Sequence, residues 1–310
     1  MNIGVVGTGF GSYHAQLLQQ MHLVDRVVIF GRNESKLQQL KEQLGVEVTS
    51  CIDDLLLDPG IEVLDICLPS DLHSHYAIEA LKNGKHVFCE TPVCFQLEEA
   101  EEMKRAAKQY GKRVLVNQFI KFDPAYAYLQ HAIDEQKYGK LLSLTLKRET
   151  SPMWGDLGLR EITTKLMIHE LDFLTWIFGA IDKFSAWGTE LEDKAQAQVR
   201  ACFQHKGQFA EIIAASQMPA AYPFIVGYEA YFERAKLVYH ESDHQGQIEA
   251  ALHEYTSSGM RELALRSANP YEKSIEHAVR CFRDGTASLI SLDDAIQSLK
   301  IAVELQRRIV

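Results

Sequence analysis

Residues 3–6, Ile-Gly-Val-Val, make a short apolar run that leads straight into Gly7-Thr8-Gly9-Phe10-Gly11. A helix-like pattern follows at once, so the opening reads as strand, glycine turn and helix. Glycines let a backbone turn tightly and approach a ligand closely, and the free N–H groups of a helix start point at an anion. Between a first strand and a first helix, this is the arrangement that cradles a dinucleotide's diphosphate. The spacing departs from Gly-x-Gly-x-x-Gly. Ser12 stands where the third glycine is expected, and Gly11 comes one place early. Serine is still small enough for a helix to pack against a strand.

The 310 residues suffice for two domains of ordinary size. A formal net charge of −10 weighs against non-specific nucleic-acid binding, which wants a basic surface. It also means that an anionic ligand must be held by backbone N–H groups or by local positive charge. No basic, cleavable leader and no apolar run of bilayer length is found, so a cytoplasmic protein with no membrane partner is expected. The six cysteines, Cys51, Cys67, Cys89, Cys94, Cys202 and Cys281, are scattered without a C-x-x-C. That pattern suits reduced, buried thiols, and no metal site is expected.

The first portion alternates. Strands are expected at 3–6, 27–30, 63–67, 86–89 and 113–116, with helices at 13–21, 34–44, 73–83 and 97–110 between them. Asn33 or Ser35 is placed to start the second helix, and Gly45 and Gly111 to end two of them. Apolar, non-alternating strands separated by helices predict a parallel sheet covered on both faces. The texture then changes. A helix is expected at 124–135, an alternating, exposed strand at 141–148 and one amphipathic helix at 163–178. Longer alternating runs at 198–203, 209–215, 225–231 and 235–239 suit an antiparallel sheet with one covered face. Helices at 271–284 and 292–307 close the chain. The expected fold is α/β: a Rossmann domain over 1–119 and an α+β domain over 120–310 with a largely antiparallel open sheet.

Several further motifs follow in order: Leu-Pro-Ser-Asp-Leu-His at 68–73, Gly-Lys-His-Val-Phe-Cys-Glu-Thr-Pro at 84–92, Phe-Asp-Pro at 122–124, and Ile-His-Glu-Leu-Asp at 168–172. Together with the opening and with the ending from Tyr271 to Leu305, they resemble the Gfo/Idh/MocA family of NAD(P)-dependent oxidoreductases over essentially the whole chain. The resemblance implies oxidation or reduction of a secondary alcohol or ketone on a sugar, inositol or related polyol. It also implies a homodimer or homotetramer formed through the open sheet.

The cofactor is read at the end of the second strand. NAD-preferring Rossmann domains place an acidic residue there to accept the ribose hydroxyls. Here the corner is Phe30-Gly31-Arg32-Asn33. No carboxylate stands at Gly31, and Arg32 and Lys36 offer charge for a 2′-phosphate. NADP is therefore expected ahead of NAD; the alternative is a solvated Arg32, with Glu34 on the ribose. The cofactor set comprises Gly7, Thr8, Gly9, Phe10, Gly11, Gly31, Arg32, Asn33, Leu68, Pro69, His73, Glu90, Thr91 and Asn117. Of these, His73 either caps its helix or touches the cofactor.

The resemblance implies a lysine within Glu-Lys-Pro after the fifth strand, near nicotinamide ribose and substrate oxygen. This chain has Glu90-Thr91-Pro92, so that charge is missing at Thr91. The resemblance also implies an aspartate four residues before a histidine. His169 is present, and the earlier position is Lys165. Residues i and i+4 lie on one helix face, so if His169 points into the pocket Lys165 points nearly the same way and can supply the cation that Thr91 does not. Otherwise Lys165 is merely exposed. His169 is the candidate acid–base group, because its free pKa lies near neutrality. Asp172 is placed to orient either that ring or a substrate hydroxyl, and Lys121 and Trp154 are substrate-side candidates. The competing reading is a catalytically weak NAD(P)-binding sensor or regulator on the same scaffold, for which the departures at Thr91 and Lys165 are the argument.

Overall fold

Parallel strands need crossovers, and the apolar runs of the first portion are each followed by a helix that provides one. The computed structural model describes residues 1–309 apart from 153, 182 and 194. Six strands, β1 Asn2–Val6, β2 Arg26–Phe30, β3 Glu47–Thr49, β4 Val63–Ile66, β5 His86–Cys89 and β6 Val114–Val116, pair in the order β3-β2-β1-β4-β5-β6. Every pair is parallel. The helices are α1 Phe10–Gln19, α2 Glu34–Leu44, α3 Asp53–Leu56, α4 His73–Lys82 and α5 Leu97–Tyr110. The ends of α2 and α5 carry their expected signals. Asn33 Oδ1 accepts from Lys36 N, and Gly45 and Gly111 adopt left-handed conformations past the two helices.

Chain contacts gather Met1–Phe119 with Asn269–Ile296 into one unit, and Ile120–Ala268 with the residues from Gln297 onward into another. The second unit holds β7 Leu141–Glu149, β8 Lys183–Glu190, β9 Ala197–His205, β10 Gln208–Ala215, β11 Phe224–Phe232, β12 Ala235–His244, β13 Gln247–Thr256 and β14 Gly259–Glu262. Their order is β14-β13-β12-β11-β7-β10-β9-β8. Among the described residues only β7 and β10 of this sheet pair in parallel. The alternation in β7 marks a sheet with one covered face rather than an exposed strand, and β7 lies in the middle.

Register shows how that face is built. Ala201, Ile212, Leu146, Tyr228, Tyr239 and Leu252 stand side by side across six strands, and all are buried. Helices α6 Pro124–Asp134, α7 Ile162–Lys165 and α8 Ile168–Phe178 belong to the same unit. Asp123 starts α6 by accepting from Ala125 N at 2.9 Å and Tyr126 N at 3.3 Å. Tyr126 of α6 meets Phe173 of α8 edge-on at 4.8 Å and Tyr228 of the sheet at 5.4 Å. Each such large side chain stabilises the unit by roughly 1.5–3 kcal/mol through burial.

Two expectations change. The single helix at 163–178 is two helices, interrupted at Leu166–Met167, where Met167 N reaches back to Ile162 O. The closing helix α9 Pro270–Asp284, expected in the second domain, gathers with the first unit. There Tyr271 stacks on Phe119 at 4.2 Å and meets Phe10 edge-on at 5.2 Å. Asn269 both caps α9 and donates to Tyr13 Oη at 2.6 Å. Periodicity says that a helix has a face to bury; it does not say against what. The last helix is α10 Leu292–Ile309. No helix of the described residues is long and apolar enough to cross a membrane, and the six cysteines are free thiols.

Candidate functional site

The glycine turn sits where the strand order reverses, between β1 and β4. Each glycine there has a separate task. Gly7 has φ +118°, and a β-carbon on it would stand 2.6 Å from Cys67 O. A β-carbon on Gly11 would stand 3.0 Å from Val5 Cγ1 and 3.2 Å from Cys67 Cβ, so Gly11 lets α1 close onto the sheet. This is the packing role that the usual motif gives to the next position. Ser12 Oγ instead donates to Gly9 O at 2.7 Å and closes the turn. Gly9 has φ −80° and faces open space, where its missing side chain would be. A ligand can approach the backbone there, at the N-terminus of a ten-residue helix. The cradle therefore fits a diphosphate.

At the end of β2, Gly31 is buried, whereas Arg32, Asn33, Glu34, Ser35 and Lys36 are all exposed. Asn33 spends its side-chain oxygen on the start of α2. Beyond β4, the Leu68-Pro69 turn is held by His73. Its Nε2 lies 2.7 Å from Leu68 O and its Nδ1 3.0 Å from Pro92 O. Burial lowers the His73 pKa, although both carbonyls oppose that shift. His73 thus ties the turn after β4 to the turn after β5, where Thr91–Pro92 is a cis peptide.

Glu90 anchors that second turn. Its carboxylate accepts from Thr91 N at 3.2 Å and from Asn117 Nδ2, and its Oε1 lies 2.9 Å from His14 Nε2. The last contact has ion-pair distance without hydrogen-bond alignment. His14 Nδ1 in turn lies 2.9 Å from Asp65 Oδ2 and 3.3 Å from Cys67 Sγ. Burial opposes a charged His14, but Cys67 and Asp65 outweigh it and raise the imidazole well above its usual pKa. His14 and Asp65 escaped the sequence reading. They come from separate segments, and only the parallel pairing of β1 with β4 brings them together. His14, Asp65 and Cys67 also place their ligating atoms within 4.8 Å of one another, a cluster that the cysteine spacing did not reveal.

The second unit carries the other candidates. His169 lies in the first turn of α8. The ring keeps some exposure, while its Nδ1 is enclosed. Burial, and secondarily the charge of Arg148, push its pKa well below the ordinary value. Arg148 Nε meets both carboxylate oxygens of the buried Glu170, at 2.8 and 2.9 Å, and the guanidinium lies over the Phe224 ring at 5.4 Å. Trp154 is exposed and meets Phe224 edge-on at 5.0 Å. Asp172 is buried and accepts from Ser298 Oγ. Lys121 is buried with its Nζ 5.9 Å from the Trp176 ring. Lys165 Nζ pairs with Glu161 Oε2 at 2.9 Å, both partly exposed. The helix break after Lys165 removes the i, i+4 argument that set it on one face with His169. Because Glu170 neutralises a buried cation, Glu170→Ala is expected to cost about 3–5 kcal/mol of stability, read as a lower urea midpoint. A change within 1 kcal/mol or so would mean that water reaches Arg148.

A parallel sheet in this order, with an open glycine cradle at its switch point, defines a dinucleotide-binding Rossmann protein. Residues 1–118 match the Gfo/Idh/MocA family model, described as an oxidoreductase family with an NAD-binding Rossmann fold. Myo-inositol 2-dehydrogenase of Thermotoga maritima is 28% identical over 200 residues, covering 63% of this chain and 60% of that one. The scyllo-inositol 2-dehydrogenase (NAD(+)) of Bacillus subtilis is 25% identical over 313 residues, covering 96% and 91%. The match shows the family over residues 1–118, the part that carries the NAD-binding Rossmann fold. The chain spans between 53% and 60% of the length of three curated relatives that it matches, the T. maritima enzyme among them. The fold is shared with the UDP-N-acetylglucosamine 3-dehydrogenase structure from Acidithiobacillus ferrooxidans, with TM-score 0.83, 20% identity and coverage of 100% and 97%. It is shared also with biliverdin reductase from Synechocystis sp. PCC 6803, with TM-score 0.81, 17% identity and coverage of 99% and 98%.

Proposed function

We propose that the chain is an NADP(H)-dependent dehydrogenase or reductase acting on a secondary alcohol or ketone of a sugar, inositol or related polyol. The observation that carries the proposal is the open cradle at Gly9, together with the inositol dehydrogenases among the relatives. When bound, the nicotinamide supplies or accepts the hydride. The chain's own residues do the rest. N–H groups of the Gly7–Gly11 turn hold the diphosphate. Glu90, His73 and Asn117 position the Leu68-Pro69 and Thr91-Pro92 turns, and Thr91 itself offers a hydroxyl. His169 takes the proton from the hydroxyl or returns it. Lys165 carries the positive charge that Thr91 lacks, and shares it with Glu161. Asp172, Lys121 and Trp154 serve the substrate side, Trp154 by offering a ring for a sugar face to stack on.

NADP is favoured over NAD because Gly31 bears no carboxylate and Arg32 and Lys36 are exposed beside it. Arg32→Glu is expected to weaken NADPH about tenfold or more while leaving NADH nearly unchanged, as measured by fluorescence titration. Equal losses for both nucleotides would detach Arg32 from the 2′-phosphate.

The open face of the large sheet is the proposed site of homo-oligomer formation. One register row there runs Phe209, Ser143, Tyr231, Lys236, Tyr255 and Met260, with its aromatic and methionine members exposed. The neutral Thr91 and the Lys165–Glu161 pair favour a second reading, a nucleotide-binding sensor without turnover. Assays with polyols, ketoses and dicarbonyls separate the two. Turnover that His169→Ala abolishes supports the enzyme, and tight NADPH binding without turnover supports the sensor.

A further inference from the structure

We infer that Thr8 sets which nucleotide the first unit accepts, by keeping the end of β2 closed to a carboxylate; the inference rests on the NADP reading above. A β-carbon built on Gly31 would lie 2.4 Å from Thr8 Cγ2 and 3.3 Å from Leu37 Cδ2. The first distance is far inside van der Waals contact, which lies at about 3.5 Å or more for two carbons. Gly31 is not among the glycines of positive φ, so its backbone does not by itself demand glycine. The demand comes from the Thr8 methyl group.

The surroundings keep the two residues close. Gly7 N donates to Phe30 O at 3.0 Å, which fixes the loop just before Thr8 to the residue just before Gly31. Gly31 N donates to Thr49 O at 3.2 Å, which holds Gly31 to the neighbouring strand end. Leu37, the other wall, is buried on the helix that Asn33 caps. A side chain at 31 must therefore displace Thr8 or the loop that cradles the diphosphate. This is the position from which an acidic residue would accept the ribose hydroxyls and repel a 2′-phosphate. With Thr8 in place an acid at 31 has no room, and the charged groups of the corner are Arg32, Glu34 and Lys36, two of them cationic.

The test compares the parent with Thr8→Ala, Gly31→Asp and the double variant, titrating each with NADPH and NADH. The parent is expected to prefer NADPH, and a preference for NADH overturns the NADP reading on which the selectivity claim rests. Gly31→Asp alone is expected to weaken both nucleotides, because the clash is relieved by moving the loop. Thr8→Ala/Gly31→Asp is expected to bind NADH about tenfold tighter than Gly31→Asp and to reverse the parent's preference, since a charge-assisted hydrogen bond to the ribose becomes possible. Equal NADH affinity in Gly31→Asp and the double variant overturns the role of Thr8. A second cycle, with Gly31→Ala and Thr8→Ala, reads the packing without any nucleotide. Gly31→Ala is expected to lower Tm and Thr8→Ala to restore it. Additive Tm changes overturn the interlock even where the NADP reading stands.

Discussion

Gly9→Asp is expected to fold like the parent and to lose NADPH and NADH affinity on the order of a hundredfold, about 2.7 kcal/mol. Gly9 has φ −80°, which any residue adopts, with ψ −106°, which lies outside the α and β wells, and nothing lies within 4 Å of where its β-carbon would be. The added β-carbon meets no protein atom, so the cost to the fold is the backbone strain at that ψ, about 1–3 kcal/mol. The new side chain does place a carboxylate at the start of α1, in the space through which a diphosphate reaches the backbone. Gly7→Ala is the contrasting change. There the backbone is left-handed at φ +118° and the added carbon meets Cys67 O, so stability falls along with binding. Fluorescence titration of both nucleotides, with a thermal melt beside it, distinguishes the two. Unchanged affinity in Gly9→Asp would remove the cradle, and with it the nucleotide-dependent reading.

The second large effect belongs to His169. His169→Ala is expected to lower turnover by a factor of about a hundred to ten thousand, with nucleotide affinity preserved. The pH dependence follows from the direction of its shift. Burial first, and Arg148 second, push the imidazole well below its ordinary pKa. The ring is thus neutral at and above neutral pH, ready to accept a hydroxyl proton. Alcohol oxidation is expected to stay flat from neutrality upward and to fall only in acid, as the ring protonates. Ketone reduction needs the protonated ring and is expected to gain as pH falls. His169→Ala should erase this limb, whichever direction is assayed. A limb that survives the substitution would assign the proton to another group. Lys165→Met on the same substrates asks whether that cation matters while paired with Glu161.

The nucleotide half was legible because its chemistry is tied to local backbone. A turn that brings Gly7 within 2.6 Å of a carbonyl, measured from its missing β-carbon, leaves glycine as the residue that fits. Buried parallel strands likewise announce themselves as apolar runs without alternation. What escaped depended on meetings between distant segments. His14 and Asp65 are unremarkable in sequence, and the fold joins them to Glu90 in one network. The 2.4 Å approach of the Thr8 methyl to the missing side chain of Gly31 is equally invisible in a string of letters. The break at Leu166–Met167 was missed for a different reason. Apolar spacing runs through it, so periodicity reads one helix where the backbone makes two. The polar outer strands β13 and β14 carry too few buried residues to show a clean alternation.

The amino-terminal unit is completed by Asn269–Ile296, a segment translated after all of Ile120–Ala268. Until the ribosome has made it, Tyr271 is not there to stack on Phe119, nor Ile290 to accept from Val116 N. The half of the molecule whose synthesis begins first therefore waits for a segment made about 150 residues later. A gene cut at codon 119 would encode a nucleotide-binding domain without its closing helix, whereas grafting 269–296 back onto that fragment should restore a self-sufficient fold.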